Sequence, residues 1–385
     1  MNTWLIEPRD PVIFRDGRPF NPTPGARAKS LPFPYPSTLA GAVRTRAGQN
    51  EQGVFDTRRA DELRQVGICG PVLVEIDQPN GLYFPTPEDC VVLQSAKEID
   101  EKMAERLWAR PTSLEINELT NLKDDLELIS INPVRRGKAH PNAPRFWKWE
   151  KLAKWLESPA DDEHQINLDE LGILGLPREN RIHVKMQAGL HTAESGMLFE
   201  TSGLEFVGVG NNKVSLYALA VETEASLSKG ADFLGGERRL VNWREGDNFP
   251  ACPKRIKDTI RSTKHCRLLL ATQAIFEKGY LPSWLASCTP GVTVRVRAAA
   301  VPRYQAVSGW DFKEKHPKAS RRLAPAGSVY FLELSGDDAA IEQFVESIWL
   351  HNISDAEQDR RDGFGLALLG TWNGIVEPLK VEVKE

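Results

Sequence analysis

Two histidines in one short stretch, His183 and His191 in RIHVKMQAGLH, are the residues of this chain best suited to proton transfer. With Lys185 or Arg181 to stabilise a phosphorane they would supply base, acid and cation for metal-independent RNA cleavage. His183 lies in an alternating run that reads as a strand, and no spacing rule fixes its distance to His191, so the pattern favours a structural or RNA-contacting role. Ser335-Gly336-Asp337-Asp338 resembles the carboxylate pair of a two-metal site, yet it directly precedes a helical pattern from Ala339. There Ser and Asp serve as caps and as favourable charges on the helix dipole. No Walker loop, HExxH motif or Ser-His-Asp arrangement is visible, and neither a metal nor a cofactor is expected.

The other chemistry on offer is polyanion binding. The stretch EPRDPVIFRDGRPFNPTPGARAKSLPFPYPSTLAGAVRTR carries the cations Arg9, Arg15, Arg18, Arg27, Lys29, Arg44 and Arg46 against the acids Glu7, Asp10 and Asp16. Its prolines and glycines keep much of the backbone out of regular ladders, and Phe14, Phe20, Phe33 and Tyr35 offer faces for bases. Two readings stay open: an RNA-binding segment, or a solvated loop whose aromatics enter the core. Ser37 occupies an N-cap position, and Leu39, Ala42, Val43 and Ala47 follow at helical spacing, so exposed N–H groups of the helix start are available to an anion. A second such segment, Ala300 to Arg322, interleaves Tyr304, Trp310 and Phe312 with Arg303, Lys313, Lys315, Lys318, Arg321 and Arg322, which suits single-stranded RNA. The closing DGFGLALLGTW has Gly363, Gly365 and Gly370, and glycine lets a backbone approach a phosphate closely.

The elements that must position these residues follow from period and turn chemistry. The 385 residues are 41% hydrophobic, enough for two or three packed domains, and the net charge of −4 confines any nucleic-acid site to a local patch. Glu75 to Glu127 is strongly acidic and Arg295 to Arg322 strongly basic. Five scattered cysteines without a CxxC pair disfavour a disulfide framework or zinc ribbon. No apolar run has the length of a signal peptide or membrane span, so a cytoplasmic protein without a membrane partner is expected. Strand, helix and hairpin succeed one another from Trp4 to Phe84, with Asn80-Gly81 as the turn, which begins a βαββαβ unit. Residues 95–180 read as a largely helical insertion, with helical patches at Ile99 to Trp108 and Phe146 to Leu156. Strands return from Ile182 to Val221, including Leu198 to Glu200, Gly203 to Val209 and Val214 to Val221 with Asn211-Asn212 as a turn. They recur at Leu240 to Trp243, Leu268 to Ile275, Val292 to Val301 and Ser328 to Leu334, and helices at Lys254 to Ile260 and Ala339 to Trp349. Two halves of this kind make an α+β protein.

Taken together, EPRDPVIFRDGRPF, LPFPYPSTLAGAVRTR, RIHVKMQAGLHTAESGMLFETSGLEF, FLGGERRLVNW, AVPRYQAVSGWDF and DGFGLALLG resemble one family, over most of the chain apart from about Ser95 to Arg178. It is the RAMP-superfamily subunit of the type III-B CRISPR effector, the Cmr complex, that holds the 5′ tag of the CRISPR RNA (crRNA). The resemblance implies two ferredoxin-like (RRM-like) domains, at residues 1–210 with the insertion and at 211–385 with the Gly-rich loop. It further implies a non-catalytic crRNA-binding role in antiviral defence, with the large polymerase-like subunit and the first backbone RAMP subunit as protein partners. The RNA-binding positions it implies are Arg9, Arg15, Arg18, Arg27, Lys29, Ser37, Arg44, Gly363, Gly365 and Gly370; Arg303, Arg321 and Arg322 are added for their charge. The alternative within the same superfamily is a metal-independent endoribonuclease that cuts CRISPR repeat RNA with His183 or His191.

Overall fold

Runs of branched and aromatic residues bounded by turns build two sheets with the same strand order. The structure, a computed structural model, describes residues 1–15, 27–28, 30–50, 52–76, 78–94, 101–114, 125–135, 137–160, 164–190, 192–210, 213–308, 310–311, 316–317 and 319–380. Two compact units emerge, one from residues 1–78, 175–248 and 306–322, the other from 79–174, 249–305 and 323–385. No helix among the described residues is long and apolar enough to cross a membrane.

The sheet of the first unit contains β1 (Asn2–Pro8), β2 (Ile68–Glu75), β3 (Lys213–Thr223) and β4 (Arg239–Glu245). They lie in the order β2-β3-β1-β4, each neighbouring pair antiparallel. Ile6, fully buried, faces Leu219 on one side and Trp243 on the other. The helix α1 (Pro36–Ala47) connects β1 to β2 and buries Leu39, Ala40 and Val43, with Leu39 and Val43 each contributing on the order of 1.5–3 kcal/mol. Its N-cap is Tyr35, not Ser37: Pro36 takes the first helical position, where its missing N–H is no loss, and Ser37 is exposed one residue further in. At the other end Arg46, almost fully buried, bonds Asp232 at 2.9 Å and the carbonyls of Ser228, Gly230 and Ala231. A division at 210/211 would cut this sheet, because β3 lies between β1 and β2.

The second unit repeats the order with β5 (His265–Leu270), β6 (Thr293–Ala300), β7 (Val329–Ser335) and β8 (Ala367–Thr371), arranged β6-β7-β5-β8 and antiparallel throughout. Around it lie α2 (Trp149–Glu157), α3 (Lys254–Thr263) and α4 (Asp338–Ile348), all three packed against β8. Asp337 caps α4, its carboxylate accepting the Ala340 N–H at 2.8 Å, as the cap reading of that acidic pair expects. Asp337→Ala should lower stability by about 1 kcal/mol, read as a shift in the urea midpoint of the full chain.

Among the described residues of 95–180, strands outnumber helices. Of the run Ile99 to Trp108, read as helical, Ile99 and Asp100 lie outside the described residues and Met103 onward belongs instead to a strand, Met103–Ser113, which pairs with Cys90–Gln94, Leu128–Ile131 and Gln165–Asn167. The charged Arg106 misleads the period count. It is 3% exposed, lying against the rings of Trp147 and Trp155 at 5.4 and 5.2 Å, so an inward strand position carries a cation. The Trp-rich helix is present as α2, with Trp149, Leu152, Trp155 and Leu156 buried.

Candidate nucleic-acid interface

The opening motif leaves β1 and is caught between two hairpins of the first unit. The Arg9 N–H donates to the Leu240 carbonyl at 2.9 Å, the Leu240 N–H donates to the Asp10 carboxylate at 3.1 Å, and the Gly236 N–H donates to the Ile13 carbonyl at 2.7 Å. Val12 and Leu204 exchange two backbone bonds, which ties the same segment to the base of a long hairpin, Arg178–Met186 with Ala193–Leu204. Val12, Ile13 and Phe14 are buried, so their apolar side chains anchor the segment while Arg9 and Arg15 are exposed.

Arg9 is exposed and lies 3.5 Å from Glu7, which also accepts from Asn242 and Arg244. Arg15 is exposed and bridges backbone to backbone with Ser30. Arg27 lies in a two-residue strand running parallel to Glu200 and Thr201 of the hairpin. Arg181, at the hairpin base, bonds Glu179 at 2.8 Å; that bond first, then the charges of Glu179, Glu205 and Asp10, holds its guanidinium above the ordinary arginine range. Burial, then the neighbouring Glu179, raises the Glu205 carboxyl. Arg9 and Arg181 are thus each paired with an acid while remaining exposed.

Not every expected position belongs here. Arg18, Lys29, His191, Phe20 and the Asn211-Asn212 turn lie outside the described residues. Arg44 is half-buried and donates through Nε and Nη2 to the Val66 carbonyl at 3.0 and 2.8 Å, a bond that holds α1 to the start of β2. Arg303 is exposed in the second unit, beside Tyr304 at 50% exposure, while Arg321 and Arg322 are exposed in the first. Phe14 and Tyr35 are core residues and present no face to a base.

The closing glycines are buried as well. Gly363 and Gly365 both sit at φ 89°, and Thr272 Oγ1 donates to the Gly363 carbonyl and accepts the Gly365 N–H. Gly370 lies in β8, where a Cβ would stand 3.0 Å from Arg267 Nη2 and 3.1 Å from the Leu156 carbonyl. Their conformational freedom and small size thus serve internal packing, not an exposed loop.

His183 is held rather than poised. Its Nε2 is 2.9 Å from Thr201 Oγ1 and its ring stacks on Phe199 at 5.1 Å and 13°. Among the described residues, no group of three or more His, Cys, Asp or Glu side chains is placed to hold a metal ion. At the level of sequence FLGGERRLVNW enters only as part of the resemblance, with no binding role for Phe233, Arg238 and Arg239; they lie at or beside the turn that meets the opening motif, and the doubled glycine ahead of Glu-Arg-Arg is the signal that marks it.

A family model described as CRISPR-associated protein (Cas_Cmr3) matches residues 4–372, and the chain belongs to that family. It is accordingly a subunit of a type III CRISPR effector, the Cmr complex. No curated protein matches it. Solved structures similar to it include a chain of the type III-B Cmr-beta complex bound to cognate target RNA, at 15% identity and TM-score 0.47 over 86% of each chain. The same complex with target RNA and AMPPnP gives 13% and 0.47 over 86% of each chain. A chain of the Csm3-Csm4 subcomplex of the type III-A interference complex gives 10% and 0.32, over 88% of this chain and 94% of that one.

Proposed function

We propose that this chain is a non-catalytic subunit that grips the 5′ tag of the crRNA and docks the large polymerase-like subunit and the first backbone RAMP subunit. The observation that carries the reading is the meeting of the opening motif, the GGERR turn and the long hairpin base on one surface of the first unit, with Arg9, Arg15 and Arg181 exposed there. Guanidinium groups fixed by neighbouring acids suit a preformed groove that reads a backbone, which positions an RNA without chemistry upon it. Arg18, Arg27, Lys29, Arg321 and Arg322 extend the proposed contact, and Ser37 is exposed at the start of α1, whereas Arg44 is engaged within the first unit; Arg303, in the second unit, is a separate proposed contact, and the three glycines serve packing within that unit. We read each sheet as a ferredoxin-like RAMP half, because the orders β2-β3-β1-β4 and β6-β7-β5-β8 are that of an antiparallel βαββαβ unit. On this reading the halves divide after β4 rather than at 210/211.

The test is a titration of the purified chain with labelled RNA bearing the 5′ tag, against a scrambled tag, at two salt concentrations, with a gel to follow cleavage. Tag-preferring binding that weakens steeply with salt and leaves the RNA intact is the expected result. Cutting at a fixed position would replace this reading with the endoribonuclease one.

A further inference from the structure

The motif FLGGERRL does more than close a hairpin. Gly230–Leu234 pairs with β4 so that Phe233 stands opposite Leu240 and Leu234 opposite Arg239. Within the connecting turn Glu237 sits at φ 60° and Arg238 at φ 51°. Two successive residues bearing Cβ atoms are unfavourable in this left-handed region, and glycine or asparagine would relieve the conformation. The two side chains have definite positions: Arg238 places its guanidinium 4.4 Å from the centroid of the Phe233 ring, and Glu237 bonds Arg239 at 2.8 Å. Phe233 remains 46% exposed and Leu240 37% exposed, while the Nε of Arg239 is buried with no acceptor among the described residues. Arg9, whose backbone bonds to Leu240, adds a side chain that is 60% exposed. Unfavourable backbone geometry retained at a solvent-facing turn, with an open ring under a cation, is a feature of ligand sites.

We propose that Phe233 and Arg238 form a stacking platform for one unpaired base of a single-stranded RNA, with Arg9, Arg238 and Arg239 supplying charge to the flanking phosphates. The platform rests on the RNA-binding reading above and names where in the first unit a base is held. An exposed apolar pair alone would suit a protein surface equally. The guanidinium over the ring and the neighbouring cations Arg9 and Arg239 favour a base, because a ring and a guanidinium plane both stack on any nucleobase and phosphates follow at each side.

The experiment titrates the full chain with a fluorescent single-stranded RNA carrying the 5′ tag, comparing the parent with Phe233→Leu, Phe233→Trp and Arg238→Gly. Phe233→Leu should weaken binding about tenfold and Phe233→Trp by less than about twofold, since only the aromatic replacement stacks. Arg238→Gly should weaken binding and reduce the salt slope by about 0.7, yet melt at the same temperature or higher because glycine relaxes the positive φ. If the parent binds and all three variants bind equally, the platform is overturned and the RNA-binding reading stands. A parent that binds no RNA overturns that reading and the platform with it. Equal RNA affinity with lost co-purification of another effector subunit would make the surface a protein interface and would also overturn the platform.

Discussion

Asp89→Ala should destabilise the chain by about 3–5 kcal/mol, because it strands a buried guanidinium without its counter-charge. The Asp89 side chain is 0% exposed and that of Arg267 2%. Asp89 accepts from Arg267 Nη1, from Trp155 Nε1 at 3.2 Å and from Trp108 Nε1 at 3.3 Å. Arg267 also donates to the carbonyls of Thr371 at 2.9 Å and Trp155 at 2.7 Å, joining β5 to β8 and to the end of α2. Removing the carboxylate leaves the buried Trp155 Nε1 and Arg267 Nη1, together with the part-buried Trp108 Nε1, short of an acceptor, as well as an uncompensated charge. The paired replacement Asp89→Leu with Arg267→Met should recover much of the loss, since a well-packed apolar pair avoids the desolvation of both ions. Urea unfolding of the full chain decides it, and an Asp89→Ala midpoint equal to the parent's would refute the account.

Gly365→Ala is the second large effect, about 2–4 kcal/mol. A Cβ at φ 89° would lie 2.9 Å from the Ser354 backbone nitrogen and 3.1 Å from that of Ile353, so backbone must move to admit it. Left-handed conformation contributes roughly 1–2 kcal/mol and overpacking roughly 1–3. The displacement would disturb the Gly365 N–H bond to the Gln273 carbonyl and the neighbouring Thr272 bonds. RNA affinity measured on the folded fraction should stay at the parent value. A variant of normal stability that has lost RNA binding would return this glycine to the ligand-facing role expected from sequence.

These two sites show where sequence reading reaches its limit. Strands such as Val329–Ser335 and Lys213–Thr223 are legible because branched residues cluster between turn signals, and α4 because Ile341, Phe344, Val345 and Ile348 recur at helical spacing behind Asp337. Arg267 and Arg106 are illegible for the opposite reason. A cation counts as surface until its burial partner, distant in sequence, is known, and both arginines sit against tryptophans of the supposed helical insertion. Likewise a glycine-rich segment signals close approach without saying whether the approaching group is a phosphate or the chain itself. Arg9, Arg15 and Arg44 carry the same charge in the same basic segment, yet Arg9 and Arg15 are exposed whereas Arg44 is engaged by the Val66 carbonyl, a distinction only geometry supplies.

The interleaving of the two units also bears on how the chain matures during synthesis. Residues 1–78 of the first unit wait for β3 and β4, so β1 has no hydrogen-bonded neighbour in its sheet until residue 213 and beyond leave the ribosome. At roughly 5–20 residues per second this interval is on the order of ten seconds, far longer than helix or hairpin formation. During it the apolar Trp4, Leu5 and Ile6 form an unpaired edge, open to capture by chaperones or by a neighbouring nascent chain. A fragment ending near residue 210 would keep the opening motif yet lack the strands on either side of β1, and would be expected to aggregate rather than fold as an N-terminal half.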